Sequence, residues 1–180
     1  MADENDGPEK RAQALEMVRR LHRAVDLMVA PLEARHRERL QCRMGCSACC
    51  VDDLSVFEVE AARIQAEHAE LLEQARGRER GGCAFLDEGG ACRIYESRPY
   101  VCRTQGLPLR WLELGDGVDE VVEFRDICAL NETSEPIESL EDQECWTIGL
   151  VEQKLSELQQ ALGSEPERRV ALRSLFRRGC

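Results

Sequence analysis

Apolar residues recur at steps of three and four along Leu15, Val18, Leu21, Val25, Met28 and Leu32. A helix turns once per 3.6 residues, so this spacing keeps one face apolar. It predicts a helical arm over residues 10–39, with Pro31 placed to kink or split it. The stretch before it, residues 1–9, is acidic and carries Gly7-Pro8, and is expected to be disordered. Ser55-Val-Phe-Glu58 has capping-box spacing and predicts a helix from about Val56 to Ala75, ended by Gly77, Gly81 and Gly82.

Further on, Ile148, Val151, Leu155, Leu158 and Leu162 form a second stripe. Ser139 is placed to cap that helix, and Cys145, three residues before Ile148, falls on the same face. Ser164-Glu-Pro-Glu167 opens a last predicted helix to about Arg178. Both stripes read as helix–helix packing, or as a dimer interface.

Between the helices the period changes. Cys83-Ala-Phe-Leu, the turn Asp-Glu-Gly-Gly, and Ala-Cys92-Arg-Ile-Tyr95 read as a short hairpin. Ser97-Arg98-Pro99 opens a helical turn carrying Cys102. Leu107–Leu114, then Gly-Asp-Gly, then Val118–Phe124 suggest a second hairpin. The expected fold is mostly α with a small irregular α+β centre, in which helices flank a cysteine-rich module with two short hairpins. Its divisions are a disordered N-terminus 1–9, a helical arm 10–39, the module 40–128 and a C-terminal helical region 129–180.

Composition narrows the function classes. Aromatics make up only 4% of the 180 residues, so the core leans on Leu, Val, Ile and Ala. The net charge of −11 argues against nucleic-acid binding, since phosphates would be repelled. No apolar run is long enough to span a membrane. The N-terminus lacks the pattern of a signal peptide, which points to the cytoplasm. Arg exceeds Lys, as in a GC-rich bacterial genome. Residues 113–145 hold twelve acidic side chains against a single basic one, Arg125. That region reads as a solvated face or as a docking patch for a basic protein partner, and the basic N-terminal helix is also placed to pair with it.

Cysteine changes the picture most. There are ten, and Cys42-Arg-Met-Gly-Cys46-Ser-Ala-Cys49-Cys50 puts four into nine residues. In a reducing compartment that density reads as metal ligation rather than as disulfides. Free core thiols rarely crowd so closely. A small module with little apolar core also gains folding free energy from a bound metal. The three histidines, His22, His36 and His68, lie away from the cysteines, so any site is all or mostly thiolate. Thiolates suit zinc, cuprous copper and iron–sulfur clusters. His22 and His36, among arginines, read as exposed side chains.

Cys42, Cys46 and Cys49 have spacings that can wrap one centre, with Gly45 free to take a positive φ. Cys49 and Cys50 differ. Their side chains point to opposite faces of an extended chain, or diverge by about 100° on a helix. They are expected to serve different irons or different centres. Cys83, Cys92, Cys102 and Cys128 are available to complete the set. Cys145 stands open between a ninth ligand and a core thiol, and Cys180 reads as a bystander. Arg43, Arg93, Arg98 and Arg103 each lie within a few residues of a cysteine and can offset thiolate charge.

The order Cys42-x3-Cys46-x2-Cys49-Cys50, then Cys83-Ala-Phe-Leu, then Cys92-Arg-Ile-Tyr-Glu-x-Arg-Pro-x-x-Cys102-Arg resembles the YkgJ-like CxxCxxCC cysteine-cluster family of zinc- or iron-chelating domains. The resemblance covers about residues 40–128 and implies metal chelation without a common reaction. An iron–sulfur cluster is the preferred cofactor and zinc the alternative. A related cysteine-rich region occurs in flagellin lysine methylases, but no S-adenosylmethionine site is recognisable here. Nor is there a nucleophile–base pair, a phosphate loop or a catalytic carboxylate pair, so the reading leans away from an enzyme.

Overall fold

The first apolar stripe forms helix α1, Asp6–Arg35, in the computed structural model, which describes residues 6–43, 45–115, 120–133 and 135–177. The helix begins ahead of the expected start, so residues 6–9 are helical rather than disordered; the rest of that expected tail lies outside the described residues. Pro31 lies inside α1 without ending it. The buried face runs through Ala14, Val18, His22, Val25 and Val29, while Met28 is half exposed. The 3.6-residue period therefore selects His22 and Val29 for the interior.

The chain then enters the cysteine run and returns as strand β1, Ser55–Phe57. Helix α2, Glu58–Glu67, starts three residues later than Ser55, because Ser55 is held in β1. The carboxylate of Glu60 accepts the N–H of Phe57 at 3.4 Å and closes the first turn. His68 separates α2 from α3, Ala69–Gln74. The first expected hairpin is present as a single antiparallel bridge, Leu86 with Cys92, closed by Asp87 N–H to Ala91 C=O at 2.8 Å. Helix α4, Tyr100–Thr104, carries Cys102. The second hairpin pairs β2, Leu109–Leu114, antiparallel with β3, Val121–Asp126; its expected turn lies mostly outside the described residues.

Two expectations fail in the C-terminal third. Ser139 caps no long helix. The chain makes short 3-10 turns at Ile137–Ser139 and Asp142–Glu144, then strand β4, Trp146–Thr147, which joins β2 in parallel. Helix α5, Leu150–Ala161, starts after Gly149, whose φ of 120° suits glycine. Cys145 is therefore off the helix. The predicted last helix is instead strand β5, Arg169–Ala171, followed by a 3-10 turn at Leu172–Leu175. β5 pairs antiparallel with β1, Val170 facing Val56. A free strand edge and a buried apolar neighbour outweigh a local capping signal.

The described residues thus form a broadly α+β fold, with five α-helices and two small sheets. Two apolar clusters hold it together. One joins α1 and α5 to β2 through Val18, Val25, Leu107, Trp146 and Leu155. The stripe on α5 packs here, as expected. The other lies under α2 and gathers Ile64, Phe85, Ile94, Leu172 and Phe176. Among the described residues, no helix is long and apolar enough to cross a membrane.

Candidate metal centre

Six of the eight predicted ligands sit on loops or next to turns, and Cys102 on a helix barely longer than one turn. What gathers them is a set of backbone contacts. The N–H of Cys83 bonds to the C=O of Cys50 at 2.9 Å. The Leu86–Cys92 bridge brings Cys92 back beside Cys83. Asn131 N–H bonds to Cys128 C=O at 2.7 Å and folds Cys128 into a tight turn. Gly45 takes a φ of 83°, as the cysteine loop requires.

Mutual electrostatics show which thiols are neighbours. Cys42 is raised, first by partial burial, and then by Cys46, Cys49 and Cys128. Cys102 is raised by burial and then by Cys83 and Cys92, with Glu60 and Cys49 beyond them. Cys50 feels Cys49, Cys102 and Cys83. We group the eight by these neighbours into two quartets, Cys42, Cys46, Cys49 and Cys128, and Cys50, Cys83, Cys92 and Cys102, with Cys49 also near Cys102. The doubled cysteine is the seam between them. Cys50 donates its S–H to the Cys49 sulfur, which holds Cys49 down at about 6 and pushes Cys50 up.

The quartets differ in surroundings. Cys83 belongs to the apolar cluster under α2, and Cys50 and Cys92 pack against it. Burial pushes Cys83 and Cys92 up, while each sulfur accepts a backbone N–H two residues on, from Phe85 and from Ile94. Such N–H groups favour a thiolate. The other quartet opens to solvent at Cys42, while Cys46, Cys49 and Cys128 are half-buried. Cys42 is exposed, and a cavity of about 530 Å³ beside Cys46 is bordered by Gln41, Arg43, Ser47 and Leu130.

Several supporting residues carried no recognisable signal in the sequence. Asn131, buried, donates to Cys42 Sγ at 3.4 Å and to Gly106 C=O at 2.7 Å, and accepts from Gln41 N–H at 2.8 Å. Gly106, at a φ of 100°, lies so close to Cys42 that a Cβ there would be 2.6 Å from its sulfur. Arg173 bonds to Asp52 at 2.6 Å and to Gly82 C=O at 2.9 Å, clamping the segments that carry Cys50 and Cys83. Asn131 and Arg173 act through contacts 89 and 91 residues away along the chain.

The arginines divide. Arg98 acts on Cys49 and Cys92, one in each quartet, and Arg93 on Cys83 and Cys92. Arg43 is exposed at the cavity rim. Arg103 is turned away from the thiols: it bonds to Asp26 at 2.5 Å and to the carbonyls of Glu96 and Arg98, since a buried guanidinium needs several acceptors. His22 and His36 are also buried, contrary to expectation. His22 pairs with Glu60 and Arg63, and His36 donates to the C=O of Glu144 at 2.7 Å. Cys145 is buried apart from both quartets, with Arg125, Arg110, Glu123 and Asp142 around it. Cys180 lies outside the described residues.

Among the described residues, no three Cys, His, Asp or Glu side chains already stand at the separations of a bound ion. Closing either quartet on an ion would require its side chains to rotate. The donor set fits a soft or borderline metal, because all eight donors are sulfur. Arg98 fits it too: its Nε is buried with no partner among the described residues, beside Cys49 and Cys92. A thiolate sulfur would satisfy that N–H.

No curated protein and no solved structure matches the chain. A family model described as CxxCxxCC, "Putative zinc- or iron-chelating domain", matches residues 41–145, ending on Cys145 and so reaching past Cys128. That match spans more than half of the sequence and contains all eight clustered cysteines, and the chain belongs to the CxxCxxCC family.

Proposed function

We propose that the eight thiols hold metal in two adjoining centres, and that the metal is iron in iron–sulfur clusters with a redox, electron-transfer or sensing role. The observation that carries this reading is the Cys49–Cys50 seam. Adjacent residues contribute one sulfur to each quartet, which suits polynuclear clusters offering several metal atoms side by side. When bound, such clusters supply one-electron chemistry. The chain's own part is to set their surroundings. The N–H groups of Phe85 and Ile94, the amide of Asn131 and the charge of Arg98 all favour negative sulfur, which raises a cluster's potential.

Zinc is the second reading. Four thiolates per quartet match the closed tetrahedral site of structural zinc, and the packing of one quartet against an apolar cluster suits a stabilising role. Anaerobic purification with elemental analysis and a visible spectrum separates the two. A brown protein with iron and acid-labile sulfide supports the first. A colourless protein with about two zinc ions per chain supports the second. Protein that stays metal-free after reconstitution with either metal overturns both.

A further inference from the structure

We propose that the outer half of the β2–β3 hairpin is a docking edge for a basic, extended segment of another protein. β4 lies beside β2 only at Leu109 and Arg110. From Trp111 to Leu114, β2 has β3 on one side and no strand among the described residues on the other. Gly115 N–H bonds to Glu120 C=O at 2.8 Å, and this sets the alternation of the ladder. It turns the peptide groups of Arg110, Leu112 and Leu114 away from β3. The Arg110 carbonyl already uses that direction, accepting Ile148 N–H at 2.9 Å. The peptide groups of Leu112 and Leu114 continue the same line with no strand to meet them.

The side chains point to a partner as well. Leu112, Leu114 and Val121 share one face of the hairpin and are 55%, 85% and 58% exposed. Natural edge strands are blunted by charged side chains, above all Lys, by Pro or by a bulge. Trp111-Leu-Glu-Leu114 has no Lys, Pro or bulge, and its one charge, Glu113, accepts Trp111 Nε1–H at 2.7 Å. An added strand would cover both the peptide edge and the leucines.

Charge chooses the occupant. Glu113, Glu120, Glu123 and Asp126 lie on or beside the hairpin, within the stretch 113–145 where Arg125 is the single basic residue. Arg110 and Arg125 are both engaged by Glu123 and Asp142. A second copy, itself at −11, would lay acid against acid. A segment alternating Lys or Arg with apolar residues fits. The base of the hairpin leads on one side to Gly106, against Cys42, and on the other to Cys128. The outer half of the edge lies at the far end of the hairpin from that base, and the docking proposal does not rest on the metal reading.

The test is amide exchange by NMR on the full chain with three blocked octapeptides: alternating Val-Lys, alternating Val-Glu and alternating Ser-Lys. Val-Lys should slow exchange at Leu112 and Leu114, and Val-Glu should not. The Leu112→Ser, Leu114→Ser double variant, altered only at exposed side chains, should weaken Val-Lys binding by about tenfold or more. Equal binding of Ser-Lys, or no effect of the double variant, would mean bulk charge attraction and overturn the proposal. So would absence of protection at Leu112 and Leu114. Protection that rises with protein concentration alone, with a doubled mass, would make a second copy the occupant and also overturn it. Elemental analysis of the same sample keeps the failure of the metal reading distinct.

Discussion

His22 donates Nε2–H to the Glu60 carboxylate at 2.8 Å while its Nδ1 accepts from Arg63 at 2.6 Å. An arginine can only donate, so the proton of this imidazole is on Nε2. The same Glu60 oxygen accepts the N–H of Tyr100 at 2.7 Å, two residues before Cys102. One turn further along α1, Asp26 holds Arg103 at 2.5 Å. Helix α1 carries no cysteine, yet it fixes both ends of the short helix that does.

Removing the centre of that network should be costly. Glu60→Ala leaves His22 and the Tyr100 N–H buried without their acceptor. The expected loss is about 3 kcal/mol, at about 1–3 kcal/mol per unsatisfied buried group. Urea unfolding followed by circular dichroism checks it, and an unchanged midpoint would refute the account.

Gly106→Ala should damage one quartet and spare the other. The new Cβ would meet Cys42 Sγ at 2.6 Å, at a φ of 100° that already disfavours a side chain. Cys42 must move, and Asn131 loses its place between sulfur and carbonyl. Metal per chain should fall to about half, with the far-ultraviolet spectrum retained. Full metal content would show that Cys42 needs no fixed position.

Single cysteine variants should sort by quartet. Cys128→Ser should lose the solvent-facing centre and Cys92→Ser the centre packed on the apolar cluster. The double variant should lose both. Cys145→Ser should keep full metal content, because arginines and carboxylates surround that thiol. Loss of all metal from either single variant would mean one joint cluster rather than two.

Acid should unfold the protein in two stages. Burial holds His22, His36 and His68 below their usual 6.5. The unfolded chain therefore binds more protons as the pH falls through about 6.5, and stability falls with it. A second loss comes from Glu67. Burial raises its pKa, but hydrogen bonds from Arg63, Ser97 and Arg19 outweigh that and hold it at about 2, against a usual 4.5. Its contribution is whole above 4.5 and disappears as the pH falls from there toward about 2. In Glu67→Gln the second stage should be smaller. Identical pH–stability curves for variant and parent would contradict this.

Much of the site is legible in the order of the residues. Cysteine identity and spacing need no tertiary information, because thiolate chemistry and the divergence of adjacent side chains are local properties. They point to the ligand type, the family and the role of Cys49–Cys50 as a seam. The hydrophobic period likewise places α1 and α5. It does not decide which of two adjacent residues turns inward. His22 lies beside Leu21, and only the packing of α1 against α2 puts the imidazole inside with Glu60 and Arg63. Capping patterns at Ser55, Ser139 and Ser164 are also local; Ser55 yields to a strand paired with distant residues, and Ser139 and Ser164 sit in short turns instead of opening helices. Ser55 and Val170 lie on strands that pair across more than a hundred residues. The supports of the quartets are hidden for the same reason. Asn131, Gly106 and Arg173 are ordinary residues in sequence, and their part depends on which sulfur or carbonyl folding brings to them. The sequence by itself determined what the chain can bind, since that is chemistry of side chains. Tertiary structure alone decided which thiols become neighbours, which of them meet solvent, and what holds each in place, since those depend on contacts between segments far apart in the chain.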